Sequence, residues 1–577
     1  MTLYTDLLAE FDSEKHLVCH LEPYVGGGFT EDLYYSTHGF ISEPSDTPAN
    51  QYYDARLKNS YEFQRSLFSG GRLTGSSVPS FGSITLINTD GELDILADYR
   101  WGGRRVRIWM GGPDFDLADY GLVFDGTAEG IEVGDGEITI RLRDLKYLFD
   151  KEIQAETFAV TGFGSDVVNR RKPLPYGMCR NVPLLYTGVD GNGKHSFFAG
   201  ANIIGVYSVR DLGLELTFID PAGVPTPGQW TCDLTTGVIT LGGSFSGPVT
   251  GDVIGTRYLS AASSTSWTVG TGSKAFTIDA GLAFTVGMMV RVTNGRDPET
   301  TWGDGLVTAY SGTTLTVLVS EVGDTAGTDT DWVISPWGTV AGIVKAIGTL
   351  MGVTTFDEAS FADIDTAQPA TVGYYIDEGG NALGHLDAIC NGASCHYGFT
   401  RAAEFQIGRL SIPGTADSSY GASDIIDDTF QRQIIEDPAY EVVVRYGRNW
   451  FGSMADNQLV GAVSDTDRSF LTNEWRQAKV TDLNVLDTFP QSTPIIVDSI
   501  FDDATVAEAE AERLMAMFGV PRAYYIGRFK MQPLSLDIGG TTTITHARYG
   551  LSEGVDLRRV ELGENLNTFE VEMGLWG

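Results

Sequence analysis

The chain has 577 residues, of which 42% are hydrophobic and 20% charged; 39 basic side chains face 76 acidic ones, for a formal net charge of -37. That length exceeds what one hydrophobic core can serve and implies roughly three to five domains. The composition makes most of the chain globular rather than disordered, and the acidic excess argues against sequence-specific binding to DNA or RNA, whose phosphates it repels.

The 70 glycines, together with plentiful Thr and Tyr and few helix-favouring runs, predict many short strands joined by tight turns. The opening stretch, MTLYTDLLAEFDSEKH, has neither a basic n-region nor an apolar h-region, which predicts no signal peptide. No apolar run reaches the ~20 residues a spanning helix needs. Five cysteines, Cys19, Cys179, Cys232, Cys390 and Cys395, are too few and scattered for a disulfide framework and predict reduced thiols.

Residues 1–184 read as the first compact region. RRVRIWMGG alternates through Val106, Ile108 and Met110, and GEITIRLRDL through Ile138, Ile140 and Leu142, predicting half-buried strands. NTDGELDIL supplies an Asp-Gly turn. RRKPLPYGMCRNVPLL carries Pro173 and Pro175, which predict a crossing segment without regular structure. Residues 185–255 read as a small β unit, with VYSVRDLGLELTFID and QWTCDLTTGVITLGG as strand pairs around Gly-containing turns. Residues 256–337, rich in Thr, Ser and Gly, read as an inserted all-β module of four or five alternating strands.

Residues 338–577 mix α and β. GTVAGIVKAIGTLMGV has helical apolar spacing. DDATVAEAEAERLMAMFGVPR predicts a helix capped by Asp503 or Thr505 and stopped by Gly519 and Pro521, with Val506, Leu514, Met517 and Phe518 along one face. YEVVVRYG, RAYYIGRFKM and TTITHARYG predict strands around it.

Catalysis needs a constellation, and the sequence offers none of the common ones: it contains no G-x-S-x-G elbow, H-E-x-x-H or Walker loop. CNGASCH places Cys390, Cys395 and His396 at a spacing that can ligate zinc, but a second Cys pair is missing. HLVCH (His16, Cys19, His20) offers remote ligands for it. The alternative is two small buried thiols in a helix-to-strand turn. DTAGTDTDW and VDGNGKH resemble calcium loops only loosely, because Lys194 stands where an acid is wanted and no bidentate Glu follows. RWGGRRVR gathers Arg100, Arg104, Arg105 and Arg107 into a basic patch suited to an acidic neighbouring subunit or to nucleic acid. No catalytic, cofactor-binding or metal residue is assigned, no cofactor is expected, and the chain reads as a non-enzyme.

A family resemblance rests on the order of several features. VAEAEAERLMAMFGV is followed by strands and by PLSLDIGGTTTITHARYGLSEGVDLRRVELGENLNTFEVEMGL. This resembles the C-terminal part of the tail hub proteins of long-tailed bacteriophages, although Gly539-Gly540 stands where that family commonly has Gly-Asp. The N-terminal landmarks, Tyr53 to Leu57, Arg65 to Phe68, Phe81-Gly82, Asn88 to Gly91 and Leu96, are similar to the start of a set of phage and prophage tail proteins, in which KPLPYGMCRNVPLL also recurs. Residues 256–337 resemble a β module of phage tail and fibre proteins.

The resemblance implies a mainly β (α+β) fold of several β-barrel hub domains with a few short helices and an inserted module. It also implies a homotrimeric ring at the distal end of the virion tail, assembled in the host cytoplasm. Implied partners are the distal tail protein, the tape measure protein and tail fibre or central tip proteins. DNA would be passing cargo in an acidic lumen, and the host surface would be met through 256–337. The alternatives are a fibre- or spike-like glycan-binding protein, or a cell-wall or polysaccharide hydrolase.

Overall fold

A computed structural model describes residues 3–577 apart from 11–12, 59–60, 68–79, 160–166, 202, 220–222, 235, 256–258, 283, 285, 287, 296–300, 324–326, 337 and 378. Phe68 of the N-terminal landmark and Asp324, Thr325 and Ala326 of the second calcium-like loop lie outside the described residues. The fold is mainly β, with a few helices concentrated after residue 338.

The largest element is a thirteen-stranded sheet. Its path runs Gln431–Glu436, Arg522–Phe529, Glu570–Trp576, Val555–Asn565, Glu62–Ser66, Phe81–Ile87, Glu137–Arg143, Gly121–Val133, Arg104–Gly111, His16–Leu21 and Leu33–Ser36. Thr541–Ile544 joins it through Val555–Asn565 and also pairs with Ser418–Tyr420. Strands from both ends of the sequence therefore form one surface. They meet where Glu62–Ser66 pairs antiparallel with residues 561–565.

Alternation dictates which side of each strand is inward. Val106, Ile108, Met110, Ile138, Ile140 and Leu142 are all fully buried, as their spacing predicts, and share one core with Leu562, Val571 and Met573 from the other end of the chain. TTITHARYG leaves the sheet after Ile544; His546 instead bonds locally to Leu551 and lies beside Phe430.

The proline-bearing segment departs from expectation. Leu174–Pro183 is a strand of a five-stranded sheet, between Val249–Gly255 and Gly373–Ile376, with a break in register between Cys179 and Val182. Pro175 is tolerated because it pairs with Tyr375 on one side only, while the ladder to Val249–Gly255 begins at Gly177; a missing N–H costs nothing where no acceptor waits. A second five-stranded sheet holds His195–Phe198, Gln229–Asp233 and Val238–Leu241, the last entered through Gly237 at a φ of 71°.

Residues 261–336 build a six-stranded sheet plus a two-stranded ladder, more strands than the four or five read from the sequence. Trp267, Phe276, Val290 and Trp332 fill their core. The flanks of this segment converge on one point. Gly255 pairs with Gly177, and a Cβ added to Gly338 would lie 2.5 Å from the Gly177 Cα.

The helix Val340–Met351 starts where Thr339 Oγ1 accepts from the Gly342 N–H at 3.1 Å and ends at Gly352 in the left-handed region, φ 97°. The helix Ala504–Phe518 is capped by Asp503, whose carboxylate accepts from the Thr505 and Val506 N–H groups, so Thr505 is not the cap. Its buried stripe is Ala507, Glu510, Ala511, Leu514 and Met517; Val506 and Phe518 sit at the margin. Small alanines bring the helix close to the strands Glu441–Tyr446 and Arg476–Thr481. Glu510 stays buried by pairing with Arg409 and Arg513.

Candidate functional site

The place where the two ends of the sequence meet is held by a buried ionic seam. Phe63 and Arg65 share the inward phase of one strand, and Leu562 and Glu564 share that of its partner. Arg65 is 4% and Glu564 2% exposed. Glu564 accepts from Arg65 at 2.8 Å, from Arg401 at 2.7 and 3.0 Å, and from the Tyr61 hydroxyl at 2.9 Å. Arg65 also pairs with Asp537, and Arg401 donates to the carbonyls of Val123 and Leu536.

Three chain regions thus converge on one carboxylate. Burial pushes the Glu564 carboxyl up, but Arg401 and Arg65 outweigh it and hold it below its ordinary range. Asp537 is depressed in the same way, with burial opposed by Arg65 and Arg401. Each charge of the seam faces an opposite charge, and Arg65 Nε is the one buried nitrogen of its guanidinium without a hydrogen-bond partner.

Beside this seam lies a groove of about 970 Å3 on the shared sheet, lined by Glu129, Glu132, Glu570 and Glu572 among others; Arg141 pairs with Glu132 and Arg528 with Glu570. Burial and the neighbouring Glu561 raise the Glu572 carboxyl. The exposed Phe81 ring adds an apolar wall.

A second cleft, about 1100 Å3, lies between Ile203–Asp211, the six-stranded sheet of residues 261–336 and residues 465–476. Three of its four lining guanidiniums are paired with carboxylates, and the fourth, Arg476, lies over the Phe470 ring. Arg210 grips Asp252 in a bidentate pair at 2.9 Å, Arg180 pairs with Asp502, and Arg291 pairs with Asp304 while lying 4.1 Å from the Trp302 ring centre.

The residues singled out from the sequence are dispersed. Cys390 closes the helix Ala382–Gly392, and Cys395 and His396 open the strand Cys395–Phe399, all buried. Burial pushes the Cys395 thiol up to about 12 and, with Arg558 and Lys146, pushes the His396 ring down to about 3. Both groups are therefore neutral, the resting state of a packed thiol and ring. Cys19 belongs to a different core from Cys390 and Cys395, so HLVCH does not complete a ligand set with them. Asp190 spends its carboxylate on the N–H groups of Asn192 and Lys194 in its own turn, both at 2.8 Å.

The arginine patch is largely satisfied within the chain. Arg105 grips Asp125, Arg107 pairs with Glu22, and Arg104 lies over the Tyr24 ring. Sequence reading missed Arg65, Arg401 and Glu564. Arg65 and Glu564 do stand at the inward phase of alternating strands, but taken singly each resembles a solvated charge, and Arg401 lies in a turn where no phase marks it.

No protein-family model and no curated protein matches this chain. Among solved structures it is similar to the 43 kDa tail protein of prophage MuSo2 from Shewanella oneidensis, at 9% identity over 97% of each chain and a TM-score of 0.36. It is also similar to the tail protein from Neisseria meningitidis MC58, at 11% identity over 53% of this chain and 96% of that one, TM-score 0.26. A third likeness is to a prophage tail protein from Listeria monocytogenes EGD-e, at 11% identity over 56% of this chain and 94% of that one, TM-score 0.23.

Proposed function

We propose that this protein is a structural, non-enzymatic component of a bacteriophage tail tip, a baseplate hub of which three copies close into a ring continuing the tail tube. The observation that carries the reading is the shared sheet. Two distant chain regions make one wall, and its outermost strand, Gln431–Glu436, has a single ladder partner, Arg522–Phe529, among the described residues. Gln431, Arg432 and Gln433 there are exposed. An unpaired strand edge on a large sheet is what assembly with further copies would cover. At the opposite end of the path Leu33–Ser36 is already shielded, because Ser36 and Tyr34 bond to the Asp54 backbone.

The order of sequence features that resembles tail hubs supports the same reading. So does the charge of -37: an acidic wall lets a phosphate backbone slide past without adhering. In this reading the groove carboxylates Glu129, Glu132, Glu570 and Glu572 face an axial channel. The tape measure protein and then DNA pass through it, the distal tail protein and tip or fibre proteins flank the ring, and the inserted sheet points towards the host surface.

Native mass measurement and electron microscopy of the purified chain test the proposal. The expected result is the mass of three 62.4 kDa chains in a ring with an axial opening. A stable monomer at micromolar concentration that stays a monomer in the tail would overturn it.

A further inference from the structure

Glu14, His16 and His38 come together on a face that the hub reading does not use. Antiparallel pairing of His16–Leu21 with Leu33–Ser36 sets Val18 opposite Ser36. Two residues further along the same register, His16 falls opposite His38. Their rings stack at 4.2 Å with an interplanar angle of 20°. Glu14 lies just before this strand, and its carboxylate reaches the same face. Its Oε1 lies 3.5 Å from His16 Nε2 and 3.5 Å from His38 Nε2. All three donor atoms fall within 4.8 Å of one another.

We propose that Glu14, His16 and His38 bind a divalent first-row transition ion, Zn2+ being the best match. Bonds of ~2.0–2.1 Å in tetrahedral geometry separate neighbouring ligand atoms by roughly 3.3–3.5 Å, the spacing already present between Glu14 Oε1 and each imidazole nitrogen; the two stacked rings would splay apart on binding so that both nitrogen lone pairs point at the ion. Two imidazoles and a carboxylate suit zinc rather than magnesium or calcium, which prefer all-oxygen shells.

The outer contact is also in place. His38 Nδ1 lies 2.8 Å from Thr37 Oγ1; with Nδ1–H donating there, Nε2 presents its lone pair to the ion. Three protein ligands leave a fourth position open. Glu14 and His38 are partly exposed, at 61% and 46% of the side chain, so that position is accessible to water. The neighbouring cluster of His20, Glu22 and Asp32 is a poorer host. Arg107 reaches His20 Nδ1 at 2.7 Å and pairs with Glu22, placing a fixed cation where the metal would sit.

The test uses the full chain, stripped with EDTA and dialysed, titrated with Zn2+ against a chromophoric competitor and separately with Co2+ for its visible absorption bands. One ion per chain with a micromolar or tighter Kd is expected, with Co2+ bands of tetrahedral intensity. His38→Ala and Glu14→Gln should each weaken binding at least tenfold, and His16→Ala should do the same, while His20→Ala should leave it unchanged. His38 and Glu14 are exposed enough that their variants should fold, so thermal unfolding without metal should match the parent chain. Binding weaker than millimolar overturns the proposal, as does binding that survives the His16→Ala/His38→Ala double change. The outcome is independent of the ring test: a monomer that binds zinc here would sink the hub reading alone.

Discussion

Glu564→Gln isolates the seam. The change keeps the side-chain shape and one acceptor oxygen but removes the charge that neutralises Arg65 and Arg401. Arg65 retains Asp537, whereas Arg401 is left with the carbonyls of Val123 and Leu536. Removing one member of a buried charge set costs about 3–5 kcal/mol, and the surviving Asp537 contact puts this case near the lower end. With a urea dependence of roughly 2–3 kcal/mol per molar for the unit concerned, the midpoint should fall by about 1–1.5 M.

A chain of this size does not unfold in one step, so the readout must be local. Hydrogen exchange at residues 62–66 and 561–565, followed across a urea series, reports the seam itself. The control is Arg141→Ala, which breaks the pair with Glu132; both of those side chains are more than half exposed, and such pairs are worth at most about 1 kcal/mol. If Glu564→Gln shifts the midpoint no more than Arg141→Ala does, the seam does not bind the two halves of the sheet. A triple change, Arg65→Met with Arg401→Met and Glu564→Leu, should recover much of the loss, because a packed apolar set avoids the desolvation that a broken ionic one cannot.

Two further outcomes follow from the same geometry. Glu564 and Asp537 have depressed folded-state values, so their stabilisation is complete above the unfolded carboxylate values of about 3.9–4.3. It should be lost as pH falls below that window; exchange at 62–66 should accelerate below about pH 4, and Glu564→Gln should flatten that response. Gly82→Ala should be severe, since the new Cβ would meet the Glu62 carbonyl oxygen at 1.9 Å. Separating Glu62–Ser66 from Phe81–Ile87 should cost more than the about 1–3 kcal/mol of ordinary overpacking, read as a lower thermal midpoint with early loss of the shared sheet.

Much of the fold was legible where the physics is local. Val106, Ile108 and Met110, or Ile138, Ile140 and Leu142, declare a strand and its inward side within a few residues. Asp503, the alanines and Gly519 declare a helix in the same way. Pro175 misled because its cost depends on whether a flanking strand needs its N–H, and the two flanking strands, Val249–Gly255 and Gly373–Ile376, lie far along the chain. The helix face was misjudged because Ala507 and Ala511 owe their burial to close approach rather than to size. The seam was illegible for a similar reason: Arg65 and Glu564 are 499 positions apart, and each alone resembles a solvated charge. The surroundings of Cys390, Cys395 and His396 were legible as a helix-to-strand turn because both flanking elements are local.

The pairing of residues 62–66 with 561–565 also sets a timetable. At roughly 5–20 residues added per second, a ribosome needs about 25–100 s to supply Glu564 after Arg65 has emerged. Throughout that interval the nascent chain holds a strand with one bare flank and a half-formed apolar face. Polysomes carry many such chains side by side, each able to offer its own bare flank to a neighbour. Mutual repulsion between strongly acidic polypeptides is one protection they carry from the start, useful on the ribosome before the sheet has closed.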